Sequence, residues 1–334
     1  MRWIGFVPLL CLPAMAAVTG TVVNRTTGQP QSGATVGFYK LVNAFQLAEE
    51  VKTDARGNFS IDDSPDGAKP NMIRTTYQGV GYIHMLPPGS PAAGLTLDVY
   101  NASAQPGAAK VSKHMILFQP SGGQLTVNET YIIENNGKTS WNNPAGGALH
   151  VWLPAAAKGQ ADVNATAADA NGMGIPATLA KTSAADVFAV NFPIKPGETR
   201  IDVDYTVPYE EGAPYEGKIV SKDENTYLVA PNGVSIAGEK LNDLGLEQKT
   251  QARIYGFAAT AYNIQLTGEP VAAPAADSAS ADDSGAPKVE IAPPHVLGQT
   301  YLILGLALGI LALTFAILYR ASAPSKENDE RGRG

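Results

Sequence analysis

Acid–base or metal chemistry would begin with the four histidines, His84, His114, His150 and His295. They are scattered. None stands in an H-x-x-E or H-E-x-x-H run, so neither helical zinc-peptidase motif is present. His84 and His150 fall in strand-like runs and read as packed or surface side chains. Asp62-x-Ser64-x-Asp66-Gly67 has the opening spacing of a calcium loop. Ile73 occupies the position of that loop's bidentate Glu, and Pro65 interrupts it, so the stretch reads as a solvated hairpin tip. Gly212 to Lys218 has the G-x-x-x-x-G-K spacing of a phosphate loop. Ile219 stands in place of the magnesium-binding hydroxyl and Pro214 lies inside, which makes the spacing a chance match. No G-x-S-x-G elbow is present, and no G-x-G-x-x-G opens a helix. The expectation is a chain that is not an enzyme, with no metal site and no cofactor.

Aromatic side chains offer a different chemistry, stacking on a sugar ring or a partner. Trp141 lies in the polar run Lys138-Thr139-Ser140-Trp141-Asn142-Asn143, and Tyr209 and Tyr215 flank a proline-containing loop. These three are the candidate ligand-binding residues. Trp152, inside Val151-Trp152-Leu153, reads as core.

Strands must position these residues. Over 17–105, Val18 to Val22, Ala34 to Tyr39, Asn58 to Ile61, Met72 to Tyr77, Tyr82 to Met85 and Leu95 to Val99 are short, apolar at alternate positions and separated by Gly, Asp and Pro turns. No helical period interrupts them, which predicts a β-sandwich. Over 110–208, Leu125 to Glu134, Leu149 to Leu153, Phe188 to Phe192 and Thr199 to Tyr205 predict a second sandwich. The stretch 209–268 holds further strand candidates. They form either a small β region of their own or the completion of the second sandwich.

Within the first stretch, Val18-x-Gly20-x-Val22, Gly28-x-Pro30, Ala34-x-Val36, Thr53-Asp54-x-x-Gly57-x-Phe59 and Ser64-Pro65-Asp66-Gly67 occur in order. Together they resemble the carboxypeptidase regulatory-like domain, a prealbumin-like β-sandwich. The resemblance covers about the first quarter of the chain and departs from the simplest pattern at Leu41 to Glu50. It implies an accessory module with no active site of its own. Gly57 and Gly67 are expected to adopt positive φ in turns, and Phe59 to be the first core anchor after its turn. The run Pro196-Gly197-x-Thr199-x-Ile201-x-Val203-x-Tyr205 is similar to the ends of immunoglobulin-like bacterial surface modules, at the level of fold. The fold class is therefore read as all-β, prealbumin-like then immunoglobulin-like.

Outside these blocks the composition changes. Residues 269–299 are dominated by Ala, Pro, Ser and Asp. Such a segment buries too little apolar surface to offset its ordering entropy and reads as a disordered stalk. Residues 300–319 carry no charge and no proline, and as a helix they would be about 30 Å long, enough to span a bilayer. Tyr301 and Tyr319 end the run, and Arg320 opens a tail, 320–334, whose cations favour the cytoplasmic side. At the other end Arg2, an apolar run and Ala14-Met15-Ala16 read as a signal peptide, 1–16, cleaved after Ala16.

The single cysteine, Cys11, lies inside that signal, so the rest of the chain has no thiol chemistry. A large exported region without disulfides points to a bacterial cell envelope. The net charge of −7 disfavours nucleic acid. Taken together, these features predict a single-pass cell-membrane protein. Its β domains are extracytoplasmic, its tail is cytoplasmic, and it binds or scaffolds a protein partner in the envelope. A carbohydrate-binding module facing polysaccharide is the first alternative, and an enzyme with an unrecognised site is the second.

Overall fold

The computed structural model describes residues 18–157, 163–169, 174–221 and 225–271. The signal segment with Ala14 and Ala16, most of the stalk, the apolar run 300–319 and the tail lie outside the described residues. The described part is all-β and sandwich-like, with one short 3-10 turn at Ala155–Ala157. Among the described residues, no helix is long and apolar enough to cross a membrane.

The first region contains β1 (Val18–Asn24), β2 (Gln29–Pro30), β3 (Thr35–Leu41), β4 (Phe45–Lys52), β5 (Asn58–Ile61), β6 (Asn71–Tyr77), β7 (Val80–Leu86), β8 (Leu95–Val99) and β9 (Ala102–Ser103). In one sheet β1 pairs antiparallel with β2 and β5 and parallel with β8; the other sheet has the order β4-β3-β6-β7. Val18, Val22, Val36, Phe38, Phe59, Ile61, Ile73, Leu97 and Val99 alternate inward and share one core.

The turn motif before β5 is explained by its hydrogen bonds. The Thr53 hydroxyl accepts from the Ala34 N–H (3.0 Å) and donates to the Gln31 carbonyl (2.7 Å). The Asp54 carboxylate accepts from the Arg56 and Asn58 N–H groups, each at 2.8 Å, and these bonds hold its pKa below the usual value. Gly57 sits at φ 76° and Phe59 is buried, both as expected. Gly67 departs from expectation: it is not among the glycines with positive φ, and a Cβ there would meet nothing within 4 Å. Its turn therefore has no steric need for glycine. The stretch Leu41 to Glu50 is the tip and exposed edge strand of the β3–β4 hairpin. Its weak burial hid its period.

The second region contains β10 (Ala109–Ser121), β11 (Gln124–Asn135), β12 (Ser140–Trp141), β13 (Leu149–Trp152), β14 (Asn164–Asp169), β15 (Gly174–Pro176), β16 (Thr178–Lys181), β17 (Val187–Asn191), β18 (Gly197–Pro208), β19 (Pro214–Lys218), β20 (Thr226–Ala230), β21 (Ser235–Gly238), β22 (Asn242–Leu246), β23 (Arg253–Phe257) and β24 (Ala261–Thr267). An eight-stranded sheet runs β15-β14-β18-β11-β10-β20-β23-β22, and two three-stranded sheets, β13-β17-β16 and β19-β24-β21, contribute to the same core.

That core is continuous from Ile116 to Leu266. β20 pairs in parallel with β10, and β23 and β22 extend the same sheet. Residues 209–268 thus share the sheet and core of the residues before them. β10, thirteen residues long, showed no clean alternation, because Met115 and Leu117 make its outer face apolar as well.

Candidate functional site

The three aromatic candidates do not converge. Trp141 lies where the two regions meet: β12 pairs in parallel with β9, and the Trp141 backbone exchanges 2.8 Å hydrogen bonds with Ile194 in both directions. Its indole N–H donates to the Ala104 carbonyl at 3.2 Å, and its ring packs on the second core. The expected free platform is a half-buried joint. Tyr209 and Tyr215 are 8% and 7% exposed. The Tyr209 hydroxyl lies 2.9 Å from the Ala213 carbonyl and accepts from the Leu266 N–H, while the Tyr215 hydroxyl meets that of Tyr205 at 3.1 Å. A buried ring has no face to offer a ligand. Trp152 is also displaced from its expected place: half-buried, it donates to the Asp186 carboxylate at 3.0 Å, outside the core.

A polar cluster sits instead inside the second core, around Glu129, which is 3% exposed. One carboxylate oxygen accepts from the Tyr131 hydroxyl (2.5 Å) and lies 3.1 Å from His114 Nε2. The other accepts from the Tyr205 hydroxyl at 3.1 Å. His114 stacks on Tyr131 with ring centroids 3.9 Å apart. Burial pushes the Tyr205 phenol well above its ordinary value, and the Glu129 charge adds to this. The cluster has acid–base residue types, but its groups are spent on one another and it is closed to solvent. Its work is to tie β10, β11, β18 and β19 together. The sequence carried a signal for it: Glu129 interrupts the inward apolar series Leu125, Val127, Tyr131, Ile133.

Two open concavities lie at the joint. The β6–β7 hairpin turn, with Gly79 at φ 78°, reaches the second region, where a Cβ on Gly79 would stand 3.2 Å from Asn142 Nδ2, and its Gln78 side chain accepts from the Ala102 N–H of β9 at 2.6 Å. The Tyr82 hydroxyl lies 3.0 Å from the Ser140 hydroxyl and accepts from the Tyr100 N–H. Burial pushes the Tyr82 phenol above its ordinary value. The Thr26 hydroxyl donates to the Lys138 carbonyl. Lys195 pairs with Asp169 at 2.7 Å, with side chains only 12% and 14% exposed, and its ammonium lies 5.3 Å from the Tyr82 ring centre. The Tyr82–Ser140, Thr26–Lys138 and Lys195–Tyr82 contacts join the two regions.

Two cavities flank the Asp169–Lys195 pair. One, of about 290 Å³, lies between β7 and β8 beside Tyr82, His84, Asp98 and Tyr100. The other, of about 390 Å³, is a cleft over the outer face of β3, β6 and β7. Strand register aligns Tyr39, Met72 and Met85 in one row of that face and Gly37, Arg74 and Ile83 in the next. Ile175 and Phe192 form the opposite wall. The cleft is apolar, sits at a junction of two regions and has a few charged groups at its margin, as small-molecule sites commonly do.

No family model and no curated protein matches this chain. Among solved structures it is similar to an M1 zinc metallopeptidase from Deinococcus radiodurans, at 11% identity and a TM-score of 0.26, over 48% of this chain and 42% of that one. A mutant of that peptidase bound to a Tyr-Ser-Ala substrate gives 12% identity and a TM-score of 0.26, over 47% and 42%. The chain spans less than half the length of these structures, and likeness at this level carries no argument about activity. Among the described residues, no group of three or more His, Cys, Asp or Glu could hold a metal ion.

Proposed function

We propose that the chain is a single-pass membrane protein of a bacterial envelope. Its tandem extracytoplasmic sandwiches, prealbumin-like then immunoglobulin-like, bind or scaffold a partner without catalysing a reaction. The observation that carries this reading is the apolar cleft at the joint, which is lined by Tyr39, Met72, Ile83 and Met85 from the first region and Ile175 and Phe192 from the second. The signal-like segment 1–16, the stalk 269–299 and the apolar run 300–319 support the placement, since a tethered module gains effective concentration near membrane partners. The test is photo-crosslinking of the full-length chain in membranes. A photoreactive residue at Met85 is expected to capture a discrete partner or ligand that one at Leu246, on the exposed β22 hairpin, does not. Equal and diffuse capture at both positions would overturn the reading.

The carbohydrate alternative finds support away from Trp141. On the outer face of the eight-stranded sheet, Asn128 donates to Asp204 (2.6 Å), and Asp202 accepts from Thr130 (2.6 Å) and from Arg200. This polar array borders Met115, Leu117 and Val229 in a groove of about 530 Å³. Hydroxyl-bonding groups beside an apolar floor suit a sugar ring. Glycan-array binding that is lost with Asp204→Ala would support this reading, and silence across a broad array would remove it.

A further inference from the structure

The cleft over β3, β6 and β7 has an uneven charge. Lys195 is neutralised by Asp169 at 2.7 Å and held over the Tyr82 ring. Arg74 differs. It is exposed, lines the cleft, and among the described residues no carboxylate pairs with it. Its guanidinium turns the Nε–Nη2 edge toward Gly81, where an added Cβ would stand 2.7 Å from Nε and 3.0 Å from Nη2. Glycine at this point leaves room for that edge at the cleft wall, and the Nη1 side of the group remains for a ligand. The rest of the lining is apolar, with two methionines whose flexible thioethers adapt to irregular chains. A planar fork of donors beside an apolar trough is complementary to an anion on an apolar body, because guanidinium pairs two-pronged with carboxylate or phosphate.

We propose that this cleft binds a small amphiphile: an apolar chain carrying one anionic head group, carboxylate or phosphate. Arg74 takes the head, and Tyr39, Met72, Met85 and Phe192 take the chain. The volume of about 390 Å³ lies within the range of small-molecule pockets, roughly 300–1,000 Å³. The assignment rests on the binding reading of the same cleft and gives that reading a ligand class.

The experiment uses the full-length chain in membranes and three diazirine-bearing probes of equal chain length: a fatty acid, an alkyl phosphate and the uncharged alcohol. Labelled residues are mapped by mass spectrometry. Both anionic probes are expected to label the cleft wall, and the alcohol is not. Arg74→Gln is expected to cut cleft labelling by about tenfold or more, with Arg74→Lys intermediate because it keeps the charge and loses the fork. Ile83→Glu, which sets a negative charge in the same row, should remove labelling even if Arg74→Gln were to perturb folding. Thermal melting of each variant reads folding separately. A preference between carboxylate and phosphate names the source of the head group.

Equal labelling by the alcohol would overturn the assignment. So would labelling confined to 300–319, or full labelling of folded Arg74→Gln. If Met85 still captures a discrete protein while no amphiphile labels the cleft, the binding reading stands and the ligand class falls. If neither occurs, both fall.

Discussion

Glu129 and Arg74 both project from β-strands, and they teach opposite lessons about charge in a fold. Glu129 is buried at the heart of the second core, and both its oxygens are engaged by His114, Tyr131 and Tyr205. Arg74 faces an open cleft and pairs with no carboxylate among the described residues. A buried charge persists only when its hydrogen bonds are met, so the first belongs to stability. An exposed cation beside apolar surface, with no carboxylate engaging it, is open to a ligand's anion, so we assign the second to binding. Residue type alone ranks them the other way round, since a Glu–His pair looks more like chemistry than a lone arginine does.

The largest effect is expected from Glu129→Ala, which removes the buried carboxylate that His114, Tyr131 and Tyr205 all meet. It should cost about 3–5 kcal/mol, read by chemical denaturation, while cleft labelling of the folded fraction is unchanged. A loss below about 1 kcal/mol would show that the network is dispensable. Next is Tyr82→Phe, which removes the hydroxyl joining Ser140 and Tyr100. It should cost about 1–2 kcal/mol and also weaken cleft capture at Met85, because the cleft depends on the joint.

Alkaline titration sharpens the buried side of the contrast. Burial raises the phenols of Tyr205, Tyr215 and Tyr262 above the ordinary 10.0. A raised folded pKa contributes stability that is fully present below pH 10.0 and is lost as pH climbs from there toward the folded values. Phenolate absorbance from these three should therefore lag behind exposed tyrosines and rise together with unfolding. Ionisation at the ordinary value without unfolding would contradict their burial. The smallest stability effect belongs to Arg74→Gln, within about 0.5 kcal/mol, read by thermal melting beside its loss of labelling. A large destabilisation there would move Arg74 to the structural side of the comparison.

Much of the architecture was legible because strand period and turn chemistry are local. The Thr53-to-Phe59 motif forms the turn that its residue types demand, and Leu125 to Ile133 shows its buried face directly. Glu129 was visible as a break in that face, although its role was not. β10 falls outside the strands that alternation predicts, because Met115 and Leu117 put apolar residues on its outer face beside the inward Ile116 and Phe118. Trp141 misled because a tryptophan in a polar run looks exposed until β9, more than thirty residues earlier, pairs with its strand.

Turn residues and alternation follow from each residue's own backbone preferences and from which side of a strand meets water. A single sequence is therefore enough to read an all-β chain and to place an apolar run of membrane-spanning length at 300–319. Partnership is different. Asp169 reaches Lys195 across 26 residues, Tyr82 reaches Ser140 across 58, and Glu129 reaches Tyr205 across 76. Strand register and the packing of one region on the other set those distances, and no local pattern encodes them. Which charges are satisfied, and which one is left facing a cleft, was decided only when the sheets came together.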